Sequence, residues 1–360
     1  MRSLLLSLTV LLSSCSLLTP REEVPETVFS RYVAVGDSLT AGMQAGGLTA
    51  ESQAEAFPVL LAERAGVAMP MPYVRGPGCP PPVTAEVQVA SCGRADPNGA
   101  VQNFAVPGAR VRDLRFTTPL TLPRAREDQP EYTLLYHEGE YRLILGNRGS
   151  QLDQAVRARP RFVTLWVGAN DVLPATLYGA PERATSPAAF EVEFRRVLDV
   201  LGRTGARVVV LTVPDITAVP GFFSVPWLRL ARLVDASCDG RDDLTISVLA
   251  FRAQGMDKPV SCRGPFALSA AQMARARAAV DGYNAAIERV ARGRRNVAVF
   301  DVAPFMRSMN GSPVVPSAAA PFGLDYSMDG IHPSGRAHER LALALARFIN
   351  AEFGTDIPTT

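Results

Sequence analysis

Lysine is nearly missing from this 360-residue chain: Lys258 stands alone among 37 basic residues, the rest being arginine. Alongside 29 prolines, this skew reads as the codon bias of a GC-rich genome rather than as a phosphate-binding face. No basic block accompanies the formal net charge of +2, so nothing points to nucleic acid as a partner. Histidine is scarce too, with three in all, and no C-x-x-C pair occurs; together these make zinc a poor reading. The early apolar run from Leu4 to Leu12 is too short to cross a bilayer. Internal repeats, heptads and low-complexity blocks are missing as well. What remains is ordinary globular composition, 47% hydrophobic and 20% charged, enough for one large α/β domain or two small ones.

The first residues carry an address. Arg2 precedes the apolar run Leu4 to Leu12, which then ends in "LSSC" at Cys15. This resembles the lipoprotein box of bacteria, in which the cysteine sulfur is lipidated and the chain cleaved before it. The competing reading is an ordinary signal peptide with an incidental cysteine. On the lipoprotein reading, residues 1–14 are a signal peptide, Cys15 carries a membrane anchor, and 15–30 form a tether. The expected location is then the cell envelope, on the periplasmic or outer-membrane side. Lipidation of Cys15 also leaves an even set, Cys79, Cys92, Cys238 and Cys262. Sequence does not select among their three pairings, but Cys79 with Cys92 and Cys238 with Cys262 each close a local loop. Each such closure is typically worth about 3 kcal/mol in an oxidising compartment.

From Tyr32 onward strand and helix signals alternate, the pattern of a parallel α/β sheet. Expected strands are Tyr32 to Gly36, Val101 to Val106, Arg161 to Gly168, Ala206 to Val213 and Asn296 to Asp301. Ser186-Pro187 offers a cap and first-turn proline for one helix, and Ser269 to Gln272 a capping box for a longer one. A last helix is expected over about Ser334 to Glu352. Three connecting segments, about 66–100, 112–150 and 214–265, exceed what a minimal domain needs. Long loops in compact domains are usually functional walls or lids.

The first expected strand runs into "GDSL", delivering Asp37 and Ser38. Gly-Asp-Ser is also ordinary turn and cap chemistry. A serine hydroxyl becomes a nucleophile only when a base takes its proton and something orients that base. His137 lies in a charged insert and His338 inside the last expected helix, positions that read as surface. His332 differs: it sits in "MDGIHPSG", with Asp329 three residues upstream, a spacing that lets a carboxylate reach the other ring nitrogen. Oxyanion donors can come from two further strand ends, Gly108, where backbone can approach a ligand, and Asn170, an amide donor. Each has a plain alternative as a turn residue.

The four blocks Gly-Asp-Ser-Leu, Asn103-x-Ala-x-x-Gly108, Gly168-x-Asn170-Asp171 and Asp329-x-x-His332, in that order, resemble the SGNH, or GDSL, hydrolase family over about residues 31–353. The resemblance implies a three-layer α/β/α, flavodoxin-like fold around a parallel sheet of about five strands, with long loop inserts and a flexible tail at 354–360. It makes Ser38 the nucleophile, His332 the general base and then acid, and Asp329 the residue orienting His332. It makes the Ser38 N–H, the Gly108 N–H and the Asn170 side chain the oxyanion hole. Asp37 and Asp171 are read as bracing their turns. No cofactor or metal is implied, and a monomer is expected. The α/β-hydrolase elbow fits less well, because Thr40 stands where G-x-S-x-G needs its last glycine.

The implied activity is hydrolysis of a small-molecule or lipid ester by an envelope-anchored esterase or lipase. Two alternatives stand beside it: a carbohydrate O-acetyl esterase acting on envelope polysaccharide, and a non-catalytic binding lipoprotein on the same fold. The stripe "VPGFFSVPWLRLARLV", Val219 to Val234, reads either as an acyl-chain wall or as core beneath a disulfide-closed loop.

Overall fold

The structure is a computed structural model and describes residues 27–86, 89–123, 129–255, 258–309 and 320–360. The signal segment, Cys15 and most of the tether lie outside the described residues.

Among the described residues seven strands form two sheets: β1 (Tyr32–Gly36), β2 (Phe162–Trp166), β3 (Arg207–Leu211), β4 (Phe222–Ser224), β5 (Leu244–Ser247), β6 (Ala267–Ser269) and β7 (Val297–Phe300). The main sheet has the order β1-β2-β3-β7, every pair parallel, with Tyr32 facing Phe162 and Phe162 facing Arg207 in register. β1 and β2 are buried at every position, which is why they read as continuous apolar runs rather than as alternating ones.

The expected strand at Val101 to Val106 is a correction. That segment runs beside β1, where Ala34 N–H donates to Gln102 O at 2.9 Å and Phe104 N–H to Ala34 O at 2.9 Å, yet it makes only an isolated bridge, Ala34 to Asn103. Asn103 Oδ1 takes the Ala105 N–H, and Pro107 has none to give, so the ladder stops at the Val106 N–H, bonded to Gly36 O. Counting this segment, the chain visits the sheet in the order 2-1-3-4-5. The direction of winding therefore reverses beside β1, and such a switch point opens a crevice at the carboxyl ends of the strands.

Helices Phe57–Arg64 and Gly335–Phe353 pack together on one face, where Phe57 meets Trp166 with ring centroids 5.7 Å apart and Phe162 meets Phe353 at 6.3 Å. Helices Gln151–Arg157, Pro187–Gly202 and Ala270–Ala291 cover the other, with Phe190 stacked on Tyr283 at 4.5 Å. The caps read from sequence are in place: Ser186 Oγ accepts from Ala189 N–H, and Ser269 with Gln272 forms the capping box. The result is the expected three-layer α/β/α fold.

Both ends of the domain reach further than expected. Phe29, assigned to the tether, is buried against Tyr32 and Phe162. The tail from 354 folds back rather than hanging free: Ile357 is buried, and Asn350 clamps it by accepting its N–H at 2.8 Å and donating to its carbonyl at 2.8 Å.

The 214–265 insert supplies β4 and β5 of the second sheet and β6 follows just beyond it, antiparallel in the order β4-β5-β6, with Phe223 paired to Ile246 and Thr245 to Leu268. It forms a small cap with its own apolar cluster of Val225, Leu228, Ile246 and Val260 around the disulfide Cys238–Cys262. Cys79–Cys92 is the other disulfide, inside the 66–100 insert. Both are the local pairings.

Candidate active site

β1 ends at Gly36, where a Cβ would lie 2.2 Å from the Trp166 carbonyl oxygen, so only glycine fits. Gln151 holds the same peptide, donating to Gly36 O at 3.0 Å and accepting the Gly36 N–H at 3.1 Å. Asp37 then caps the short helix Ser38–Ala41, its Oδ1 accepting the Leu39 N–H at 3.0 Å. Asn103 Nδ2 donates to Thr40 O at 2.8 Å and ties that helix to the neighbouring segment. Ser38 is thus fixed from three directions, with its side chain on the wall of a cavity of about 290 Å³.

The "MDGIHPSG" turn closes over it. Asp329 Oδ1 accepts the N–H groups of Ile331 at 2.8 Å and His332 at 2.9 Å. Its Oδ2 lies 2.6 Å from His332 Nδ1 and accepts the Gly46 N–H at 2.6 Å. His332 Nε2 is 2.9 Å from Ser38 Oγ. Burial opposes a charge on Asp329, but the imidazole beside it and the N–H donors of His332 and Ile331 outweigh that, holding its carboxyl well below the usual range. An ionised acceptor at Nδ1 places the ring proton there and leaves Nε2 with a lone pair facing the Ser38 hydroxyl.

Gly108 and Asn170 reach the same cavity. Gly108 has φ +75°, and a Cβ on it would sit 2.2 Å from Leu135 O, so this turn too admits only glycine. Among the described residues neither the Gly108 nor the Ser38 N–H donates to another backbone group, which leaves both open to an incoming oxygen. Asn170 Nδ2 donates to Ala109 O at 3.3 Å, aligning the amide beside them. Asp171, as expected, braces the turns: its buried Oδ2 accepts the Val111 N–H at 2.9 Å. Burial lifts the Asp37 and Asp171 carboxyls to about 7, against N–H donors that pull the other way.

Residues 32–345 match the family model described as GDSL-like Lipase/Acylhydrolase. The chain belongs to that family. A GDSL-like acylhydrolase is an ester-cleaving hydrolase, and the residues brought together here are the ones the four sequence blocks singled out. Solved structures similar to this GDSL-like chain include LAE5, an alpha/beta hydrolase from the metagenome of Lake Arreo, Spain, at 16% identity, covering 89% of this chain and 94% of that one, with TM-score 0.40. An Axe2 acetylxylan esterase mutant from Geobacillus stearothermophilus is 13% identical, covering 91% and 96%, with TM-score 0.41. The acetyl xylan esterase AlAXEase is 14% identical, covering 88% and 99%, with TM-score 0.39. No curated protein matches the chain.

The GDSL-like fold also corrects several readings. His338 is not on the surface: it is fully buried, its Nδ1 accepts the Phe57 N–H at 3.3 Å, and burial pushes its pKa down to about 3. His137 is exposed, as its place in a charged insert suggests, and it also lines the Ser38 cavity. Of the 219–234 stripe, Val225 and Leu228 are core of the cap with Phe223, Trp227, Leu233 and Val234 partly buried against it, while Leu230 is 85% exposed; Val219 alone of the stripe lines the cavity. Leu134, Leu173, Leu177, Ile216 and Leu249 supply much of the remaining apolar wall. Sequence reasoning passed over Ser327, whose Oγ donates to Asp329 Oδ1 at 3.2 Å and accepts the Ala45 N–H at 2.8 Å. Its position two residues before Asp329 in a turn was the available signal.

Proposed function

We propose that this protein is an envelope-anchored serine esterase that cleaves carboxylic esters through an acyl-Ser38 intermediate. The supporting observation is the relay at the cavity wall: Ser38 Oγ at 2.9 Å from His332 Nε2, and His332 Nδ1 at 2.6 Å from Asp329. His332 takes the hydroxyl proton as Ser38 Oγ attacks the ester carbonyl carbon. Negative charge gathers on the carbonyl oxygen, where the N–H groups of Ser38 and Gly108 and the Asn170 amide receive it. Collapse of the tetrahedral adduct expels the alcohol, protonated by His332, whose positive charge Asp329 offsets. Water then enters, gives its proton to His332, and attacks the acyl carbon to release the acid and restore Ser38.

Anchoring is supported by the Leu4 to Leu12 run ending at Cys15, and by two disulfides, which persist in oxidising compartments. Hydrolysis of p-nitrophenyl esters from acetate to palmitate, by the wild-type protein and by Ser38→Ala, tests the chemistry; persistent activity in the variant overturns it. Metabolic labelling with a radioactive fatty acid tests the anchor. Label is expected on the wild-type chain and not on Cys15→Ser.

A further inference from the structure

One carboxyl group in the cavity has no task in that mechanism. Glu140 is fully buried, lines the same cavity as Ser38 and His332, and among the described residues both of its carboxyl oxygens are without a hydrogen-bond partner. Leaving a buried polar group unpaired forfeits its hydration without return, so such a group in a native fold calls for something that completes it.

Local structure explains why the carboxyl points where it does. Glu140 is the third residue of helix Glu138–Leu145, with His137 at the cap. A glutamate at that position commonly reaches back to the cap residue's N–H. Here it makes no such bond, and the His137 side chain makes no cap bond either. The turn between them is clamped: a Cβ on Gly139 would lie 2.4 Å from Cys92 Sγ and 3.2 Å from Cys79 Sγ, so this helix start is pressed against the disulfide of the other insert. Glu140 and His137 both face the cavity as a result.

We propose that Glu140 and His137 form a polar subsite that takes a hydroxyl group of the substrate, so that the preferred ester carries a hydroxyl on the part that enters the cavity, as polyol and sugar esters do and plain fatty esters do not. The inference rests on the reading of Ser38 as nucleophile. Burial alone holds the Glu140 carboxyl well above its ordinary range, and partial desolvation at the cavity lowers the His137 pKa although that residue also reaches solvent. A neutral carboxyl donates and accepts at once, and a neutral imidazole does the same, which matches a hydroxyl and not a cationic amine. Leu134, Pro80 and Pro107, which line the same cavity, carry no polar side-chain group. A site built to bond a substrate hydroxyl discriminates against the analogue lacking it far more strongly than an apolar pocket discriminates by size.

Two matched pairs test this: glyceryl monobutyrate against propyl butyrate, and ethyl 3-hydroxybutyrate against ethyl butyrate. The wild-type protein is expected to favour the hydroxylated member of one pair by at least about tenfold in kcat/KM, and the pair that responds tells whether the alcohol or the acyl part enters the cavity. Glu140→Leu is expected to bring that ratio to about one, and Glu140→Gln, which keeps a donor and an acceptor, to preserve most of it. Should Glu140→Leu not fold, the ratio in Glu140→Gln and in His137→Phe carries the test, falling only in the second. A wild-type ratio near one in both pairs, or equal losses on both members in the variants, overturns the subsite and leaves it holding water only. Ser38-dependent cleavage of p-nitrophenyl acetate in the same preparation keeps the two readings apart. If that activity is present and the ratios are flat, the subsite alone fails; if no ester is cleaved at all, the nucleophile reading fails and the subsite with it.

Discussion

The carboxyl end of the parallel sheet and the antiparallel cap solve different problems with different means. At the sheet end, turns are locked by buried side-chain to backbone hydrogen bonds: Gln151 on Gly36, Asn103 on Thr40, Asp171 on Val111 and Asp329 on its own turn. The cap has a small apolar cluster, a disulfide and a helix that exposes Leu230. Positions good to a few tenths of an ångström need rigid elements and satisfied polar groups. A wall that only encloses substrate needs shape, and a staple supplies it.

The comparison predicts where damage concentrates. Ser38→Ala and His332→Ala should each lower kcat by about 10⁴-fold or more on a p-nitrophenyl ester, and Asp329→Asn should approach the same loss through the wrong imidazole tautomer. Residual activity within tenfold of wild type in any of them would remove that residue from the relay. Gly108→Ala is expected next: φ +75° and the 2.2 Å approach to Leu135 O force the turn apart, and kcat/KM should fall by about 10²-fold or more as an oxyanion donor is displaced. Normal activity in this variant would show that the oxyanion is held elsewhere.

On the cap side, the double substitution Cys238→Ser with Cys262→Ser should lower stability by about 3 kcal/mol in chemical denaturation. Turnover of p-nitrophenyl acetate at low temperature should change only a few fold. A collapse of that turnover would mean the cap shapes the relay itself, and the contrast between the two regions would not hold.

The smallest effect is a slope. Asp37 and Asp171 have carboxyls raised to about 7, from 3.8, so between those values the folded state binds more protons than the unfolded one. Their contribution to stability is therefore fully present below the ordinary carboxylate value and lost as pH rises through about 7. Asp329 works in the opposite sense, stabilising at neutral pH and losing its contribution as the medium becomes strongly acid. Asp37→Asn, which can still cap the helix, should flatten the fall in Tm between pH 5 and pH 8; an unchanged slope would show that Asp37 does not titrate there.

Much of the relay was legible because each part is local. "GDSL" follows an apolar strand, and Asp329 and His332 are three residues apart in one turn. Periodicity also carried information that was not used. On helix Gly335–Phe353 the buried positions are Ala337, His338, Leu341, Ala342, Leu345, Ala346 and Ile349, so His338 shares the apolar face and its burial could have been read from spacing. Glu140 offers no such signal: "YHEGEY" is charged, and charge ordinarily means solvent.

The sequence by itself determined the order of the strands along the chain, the caps of the long helices, and the residue types at the strand ends, because each depends on neighbours within a few positions. Only the tertiary structure decided that 101–106 would lie along β1 as an incomplete strand, that the two inserts would press Gly139 onto Cys79–Cys92, and that Glu140 would end in the cavity unpartnered. Those outcomes arise where segments far apart in the chain compete for the same space and the same hydrogen bonds, and local pattern does not say which segment wins.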